Sequence, residues 1–291
     1  LREKDIICFD NWDTYSGLSE GSGRSVKKWL INRESKKIGL FKFNKSNDTT
    51  EHVSENLASD LANILKIPCV QTDLGIYNSK YGSMNYLINE KNEDLIEGIN
   101  LIEKTNPNFD SEILFDPVLK EKYSIEMCKN ALNEYEFLDD FYRMLTFDYL
   151  IGNSDRHQSN WAILKYGEEV SFCPLYDHSS SLCSYVNDCE KIDRYLGNDK
   201  ILFNSLVDNK SESIIRIYNK ENKKPKHSDV LKYISTEKIV RETIEQFSQR
   251  FDEFVINDLL NSYNEKVIPE NKRKLISKYL LWKIGKAQIL L

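Results

Sequence analysis

Residues 152–160 read Gly-Asn-Ser-Asp-Arg-His-Gln-Ser-Asn, and further along comes Pro174-Leu175-Tyr176-Asp177-His178. Two carboxylates and an amide at this spacing suit phosphoryl transfer, which needs one group to orient the attacking hydroxyl and others to hold Mg²⁺ against phosphate oxygens. Asp155 is the candidate for the first role. Asn160 and Asp177 are the candidates for the second, because hard oxygen donors suit Mg²⁺ and nucleotide phosphates with water complete its octahedron. An ATP-dependent phosphotransferase is therefore the leading reading, with ATP and Mg²⁺ as the expected cofactors.

These residues must be positioned by regular elements. The apolar series Met127, Leu132, Phe137, Phe141, Leu145, Tyr149, Leu150 predicts one long buried helix over 126–151, whose end delivers the loop at 152–160. The strand-like Val170-Ser171-Phe172-Cys173 leads into Asp177. In the first ninety or so residues, Trp29–Ile31, Ile38–Phe43 and Met84–Ile88 read as antiparallel strands. A helix over 54–65 interrupts them, with Ser54 as its N-cap and Pro68 just past its end. The Ser- and Asn-rich stretch 179–200 reads as a mobile segment beside the site, and 222–227 as an exposed linker. Helices are expected over 239–254 and 272–290, the latter with Pro269 at its entrance.

Composition narrows the partners. With 40 Lys plus Arg against 46 Asp plus Glu, the 291-residue chain carries −6, so no global charge draws it to nucleic acid or anionic lipid. Its six cysteines show no C-x-x-C pair, which fits reduced thiols in the cytoplasm and argues against a zinc ribbon. His52, His178 and His227 have no metal-ligand spacing. No apolar run reaches the roughly 18 residues of a membrane span, and no apolar leader is present. A soluble protein acting on a protein substrate, without direct nucleic acid or membrane contact, is expected.

The order Asp155-Arg156-His157-x-x-Asn160, then Leu175-Tyr176-Asp177, resembles the HipA-like serine/threonine kinases, relatives of the phosphatidylinositol kinase fold. The resemblance runs from about residue 20 to residue 185. It implies an α+β, two-lobed, protein-kinase-like fold: a small antiparallel sheet lobe with one helix over 1–90 and a larger, mainly helical lobe over 91–291. It implies a phosphate loop at Gly21-Ser22-Gly23-Arg24-Ser25 ending near Lys27, although Val26 stands where a proline is frequent. It places adenine contacts on the backbone around Leu87, Ile88 and Asn89, and adds Tyr176 to the nucleotide-binding set. Ser22, with Ser19 and Ser25 nearby, is the implied autophosphorylation site, where a charge of roughly −2 would repel the triphosphate. A small antitoxin-like partner and a toxin role also follow from the resemblance.

Several assignments stay open on residues alone. Lys42, between Phe41 and Phe43, either reaches an anion or faces water from an edge strand. Glu55 either pairs with Lys42 or complements a helix N-terminus. His157 either steadies a phosphate and assists Asp155 or holds backbone carbonyls, and Arg156 binds a phosphorylated segment or a neighbouring carboxylate. Two other functions compete, a small-molecule or phosphoinositide-type lipid kinase and an inactive nucleotide-binding module. The intact set Lys42, Asp155, Asn160 and Asp177 argues against the latter.

Overall fold

Alternation in Ile38-Gly39-Leu40-Phe41-Lys42-Phe43 sends successive side chains to opposite faces of a sheet. In the computed structural model, which describes residues 4–18, 26–46, 48–89 and 92–291, Phe41 is fully buried with Phe9, Leu30, Tyr77 and Met84 on one face. Lys42 therefore projects from the other.

The sheet contains β1 (Ile7–Cys8), β2 (Asp13–Thr14), β3 (Lys27–Ile31) and β4 (Ile38–Phe43), then, beyond helix α1 (Glu51–Leu65), β5 (Thr72–Tyr77) and β6 (Lys80–Tyr86). Its order is β1-β5-β6-β4-β3-β2, with β1 parallel to β5 and the other pairs antiparallel. Strand β5 was not foreseen. Helix α1 packs on β5 and β6 and buries Leu57, Ala58, Leu61 and Ala62. It begins a turn earlier than expected, at an N-cap of Thr50. Ser54 lies inside the helix, and its hydroxyl donates to the Ser181 carbonyl at 3.0 Å. That bond ties α1 to the segment after Asp177.

Next come β7 (Asp94–Glu97), α2 (Gly98–Thr105), the short pair β8 (Phe115–Asp116) and β9 (Glu121–Lys122), α3 (Ile125–Ala131) and α4 (Leu138–Ile151). The single helix expected over 126–151 is thus two. Helix α3 ends at its cap, Leu132, and the chain turns before α4 begins after Phe137. A second sheet, β11-β10-β7, joins β10 (Ala162–Tyr166) and β11 (Glu169–Phe172) to β7. Trp161 is buried at its edge, its ring stacked over Phe172 with centroids 6.5 Å apart.

The rest is helical: α5 (Cys189–Leu196), α6 (Lys200–Asn204) running into a π-helical turn (Ser205–Asn209), α7 (His227–Ile234), α8 (Lys238–Arg250), α9 (Glu253–Asn261) and α10 (Glu270–Leu290). The helix expected over 239–254 stops at Arg250, and Asp252 caps a new one by accepting from Val255 N at 2.8 Å. Asn222 to Lys224 are exposed as anticipated, but Pro225 is buried and the buried His227 opens α7. The expected mobile stretch after Ser179 is packed instead. Leu182, Val186 and Ile192 are buried, and Lys272 of α10 donates to the carbonyls of Cys183 and Val186. Helix α4 is the centre of the main core, against α7, α8 and α10. All six cysteines are free. No helix among the described residues is long and apolar enough to cross a membrane.

Candidate active site

Helix α4 ends at Gly152, whose φ of 68° is left-handed and where any Cβ would collide with the Tyr279 hydroxyl. From there the chain enters the loop that carries Asp155. The loop is built around Arg156, which is 1 % exposed. Its Nε and Nη2 donate to Asp148 of α4 at 2.9 and 2.8 Å, while Nη1 donates to the carbonyls of Asn160 at 2.5 Å and Tyr176 at 2.6 Å. A guanidinium can be buried when its fork is matched this fully. Burial would lower its pKa, but Asp148 holds it above the ordinary value. Arg156 therefore pairs with a neighbouring carboxylate, the second of its two sequence alternatives. It also binds the loop at 152–160 to the loop at 174–178.

Further bonds fix the same loop. Tyr123 Oη donates to the Arg156 carbonyl at 3.2 Å and accepts from Trp161 Nε1 at 2.9 Å. Asn160 is buried, and its Nδ2 donates to the Asp155 carbonyl at 2.7 Å. His157 Nδ1 accepts from Ser159 N at 3.2 Å, so its Nε2 is the remaining ring position. Tyr176 Oη donates to the Ser159 carbonyl at 3.0 Å. The side chains of Asp155 and His157 line a cleft of about 610 Å³. Partial enclosure there raises the Asp155 carboxyl above its ordinary range, over the opposing pull of His157.

Lys42, Glu55 and Asp177 meet at this cleft. Lys42 Nζ stands 3.1 Å from Asp177 Oδ1 and 3.8 Å from Glu55 Oε1. Burial would lower the Lys42 pKa, but the two carboxylates carry it above its usual value. Burial would raise Asp177, but the adjacent ammonium holds it well below the usual carboxylate range. Glu55 is 1 % exposed and its pKa is raised by burial, Lys42 opposing. Its Oε2 accepts from His178 N at 2.9 Å, so one helix carboxylate holds both the lysine and the backbone beside Asp177. Asp177 itself has a φ of 57°, an uncommon left-handed conformation for a residue other than glycine.

Other sequence candidates fall differently. Lys27 lines the cleft and lies opposite Lys42 in the β3–β4 register. Leu87, Ile88 and Asn89 are not among the cleft-lining residues, nor are Asn160 and Tyr176. Leu87 N donates to the Ile38 carbonyl, Ile88 packs with Tyr176 against Ala162, Leu164 and Cys173, and Asn89 Nδ2 donates to the Glu93 carbonyl. Gly21, Ser22, Gly23, Arg24 and Ser25 lie outside the described residues, as does Ser19. Sequence reasoning missed Lys45, Glu51 and Tyr185, which line the same cleft. Among the described residues no group of three or more His, Cys, Asp or Glu side chains is placed to hold a metal ion.

The family model of the HipA-like C-terminal domain matches residues 110–254, the span containing both loops. The chain belongs to the HipA-like kinase family. Comparison with curated proteins gives no match. Among solved structures, this HipA-like chain is similar to the Helicobacter pylori proinflammatory kinase CtkA, with a TM-score of 0.81 at 19 % identity over 98 % of each chain. It is also similar to HipA of Shewanella oneidensis MR-1, solved with HipB and operator DNA as a toxin–antitoxin system. There the TM-score is 0.58 at 11 % identity, over 94 % of this chain and 66 % of that one. At such identities the likeness is one of fold, a mixed α+β architecture that includes the N-terminal sheet.

Proposed function

We propose that this HipA-like chain is an ATP- and Mg²⁺-dependent protein kinase that phosphorylates serine or threonine hydroxyls. The observation that carries the reading is Lys42, held 3.1 Å from Asp177 and 3.8 Å from Glu55 in a cleft that Asp155 also lines. Lys42 and Lys27 would hold the triphosphate, joined by the loop at 21–25. Asp177 and the Oδ1 of Asn160 would hold Mg²⁺, which supplies charge neutralisation on the phosphate oxygens. Asp155 orients the acceptor hydroxyl and takes its proton as the new oxygen–phosphorus bond forms and the bond to the ADP oxygen breaks. His157, on the same wall, would contact the transferred phosphoryl group.

The proposal includes a division into 1–90 and 91–291 on either side of the nucleotide, cytoplasmic residence, Ser22 as the autophosphorylation candidate, and a small protein partner on the pattern of HipB. It is tested by incubating the protein with γ-labelled ATP and Mg²⁺, alone, with a mixed protein extract and with anionic vesicles. Label on protein, abolished by Asp155→Ala, is expected. Label on lipid alone would replace the protein acceptor with a lipid. Label nowhere, with the fold intact, would overturn the reading.

A further inference from the structure

Lys45 stands two residues beyond the end of β4, where Asn44 N donates to the Tyr81 carbonyl at 2.9 Å and fixes the departing backbone. Its ammonium lies 2.9 Å from Glu51 Oε1. Tyr185 Oη donates to the same oxygen at 2.9 Å and lies 3.1 Å from Ser180 Oγ. Glu51 is in the first turn of α1 and only 5 % exposed, whereas the Lys45 side chain is 46 % exposed. Lys45, Glu51 and Tyr185 all line the cleft that holds Lys42, Asp155 and Asp177.

We infer that Lys45 is a further phosphate-positioning cation beside Lys42 and Lys27, held by Glu51 and Tyr185 to face the terminal phosphate of the nucleotide. The inference rests on the kinase reading above. A long lysine stem at a cleft mouth ordinarily samples many rotamers, and an ion pair of this exposure adds little to stability. Here the carboxylate that restrains it is buried, and its other oxygen, Oε2, is also buried and has no hydrogen-bond partner. A buried carboxylate with an unsatisfied oxygen costs stability, so its helix-end location alone does not explain it. Restraint of a functional cation does. The anchoring groups come from the first turn of α1 and from the segment after Asp177, the stretches that follow Lys42 and Asp177 in the chain. Lys45 is also close enough to act electrostatically on both Asp155 and Asp177. In the proposed reaction the transferred phosphoryl group passes between those two carboxylates. The Lys42 side chain sits between two carboxylates and is 19 % exposed, whereas that of Lys45 pairs with one and is more open, so Lys45 is the cation better placed for the charge gathering on the outer phosphate.

Calorimetric titration of the intact protein with Mg·ATP and Mg·ADP, together with label-transfer rates, tests this. Lys45→Met should weaken ATP binding about tenfold with ADP binding changed less than about twofold, and should lower kcat about 10- to 100-fold, while Lys45→Arg keeps most of both. Glu51→Gln and Tyr185→Phe separate positioning from bulk charge. Removing the Glu51 charge would strengthen ATP binding if Lys45 were only one of several diffuse charges, whereas a positioning role predicts weaker ATP binding in both variants. Lys45→Met that leaves ATP binding and kcat unchanged, or that weakens ATP and ADP equally, would overturn the inference and leave the kinase reading standing. Wild-type protein that binds neither nucleotide would overturn both.

Discussion

Arg156 and Asp148 form a two-nitrogen pair, at 2.9 and 2.8 Å, between the loop that carries Asp155 and the helix that precedes it. Both residues are at least 97 % buried. Because removing one partner strands an uncompensated charge, Arg156→Met should destabilise the protein by about 3–5 kcal/mol, read by denaturant unfolding. A loss under about 1 kcal/mol would show that the pair contributes little to stability.

Gly152 closes α4 in the left-handed region, hard against the Tyr279 hydroxyl. Gly152→Ala should cost about 2–3 kcal/mol from backbone strain and overlap together. In a double-mutant cycle, Tyr279→Phe should recover part of that loss, because it removes the colliding oxygen but not the strain. Strictly additive effects would contradict the contact.

Lys283 on α10 is buried, donates to Ser211 Oγ at 3.1 Å and lies over the rings of Tyr149 and Tyr279. Burial lowers its pKa from 10.5 to about 7, against the opposing pull of Asp208. Between those values the unfolded chain holds a proton that the folded protein lacks, so stability should rise with pH across that window. The rise is at most about 1.4 kcal/mol per pH unit from this group. Lys272, lowered to about 8, acts with the same sign over a narrower range. Lys283→Met should flatten the profile while the Lys272 part persists, as followed by unfolding at pH 7–10. An unchanged slope would show that Lys283 stays charged.

Glu55→Gln keeps an oxygen for His178 N but removes the charge beside Lys42. Label transfer should fall about tenfold or more, while the melting temperature changes little. Equal losses of activity and folded fraction would reduce Glu55 to a structural role.

Much of this arrangement was legible in the sequence because it was written in local chemistry. A lysine between two phenylalanines in a strand either met an anion or faced water from an edge; β4 lies between β6 and β3, and the carboxylates of Asp177 and Glu55 stand beside Lys42. The polar loop at the end of an apolar helix was legible in the same way. Asp148 was not, since it sits within the apolar run of α4 and acquires its meaning only through Arg156. Glu51 and Tyr185 are distant in sequence, and no local pattern announces their meeting at one oxygen. The division between α3 and α4 escaped because the apolar series continues across the turn between Leu132 and Phe137. Helices α5 and α7 escaped because their apolar faces are short and are completed by α10 and α4.

The central claim is that Asp177, set beside Lys42, brings a divalent cation and ATP together in this cleft. Titration of wild-type and Asp177→Ala protein with ATP, in excess Mg²⁺ and in excess chelator, tests it most directly. The account predicts that Mg²⁺ tightens ATP binding to the wild type at least about tenfold and that Asp177→Ala removes this dependence without unfolding. Binding that ignores Mg²⁺, or Mg²⁺ dependence that survives in Asp177→Ala, would contradict it.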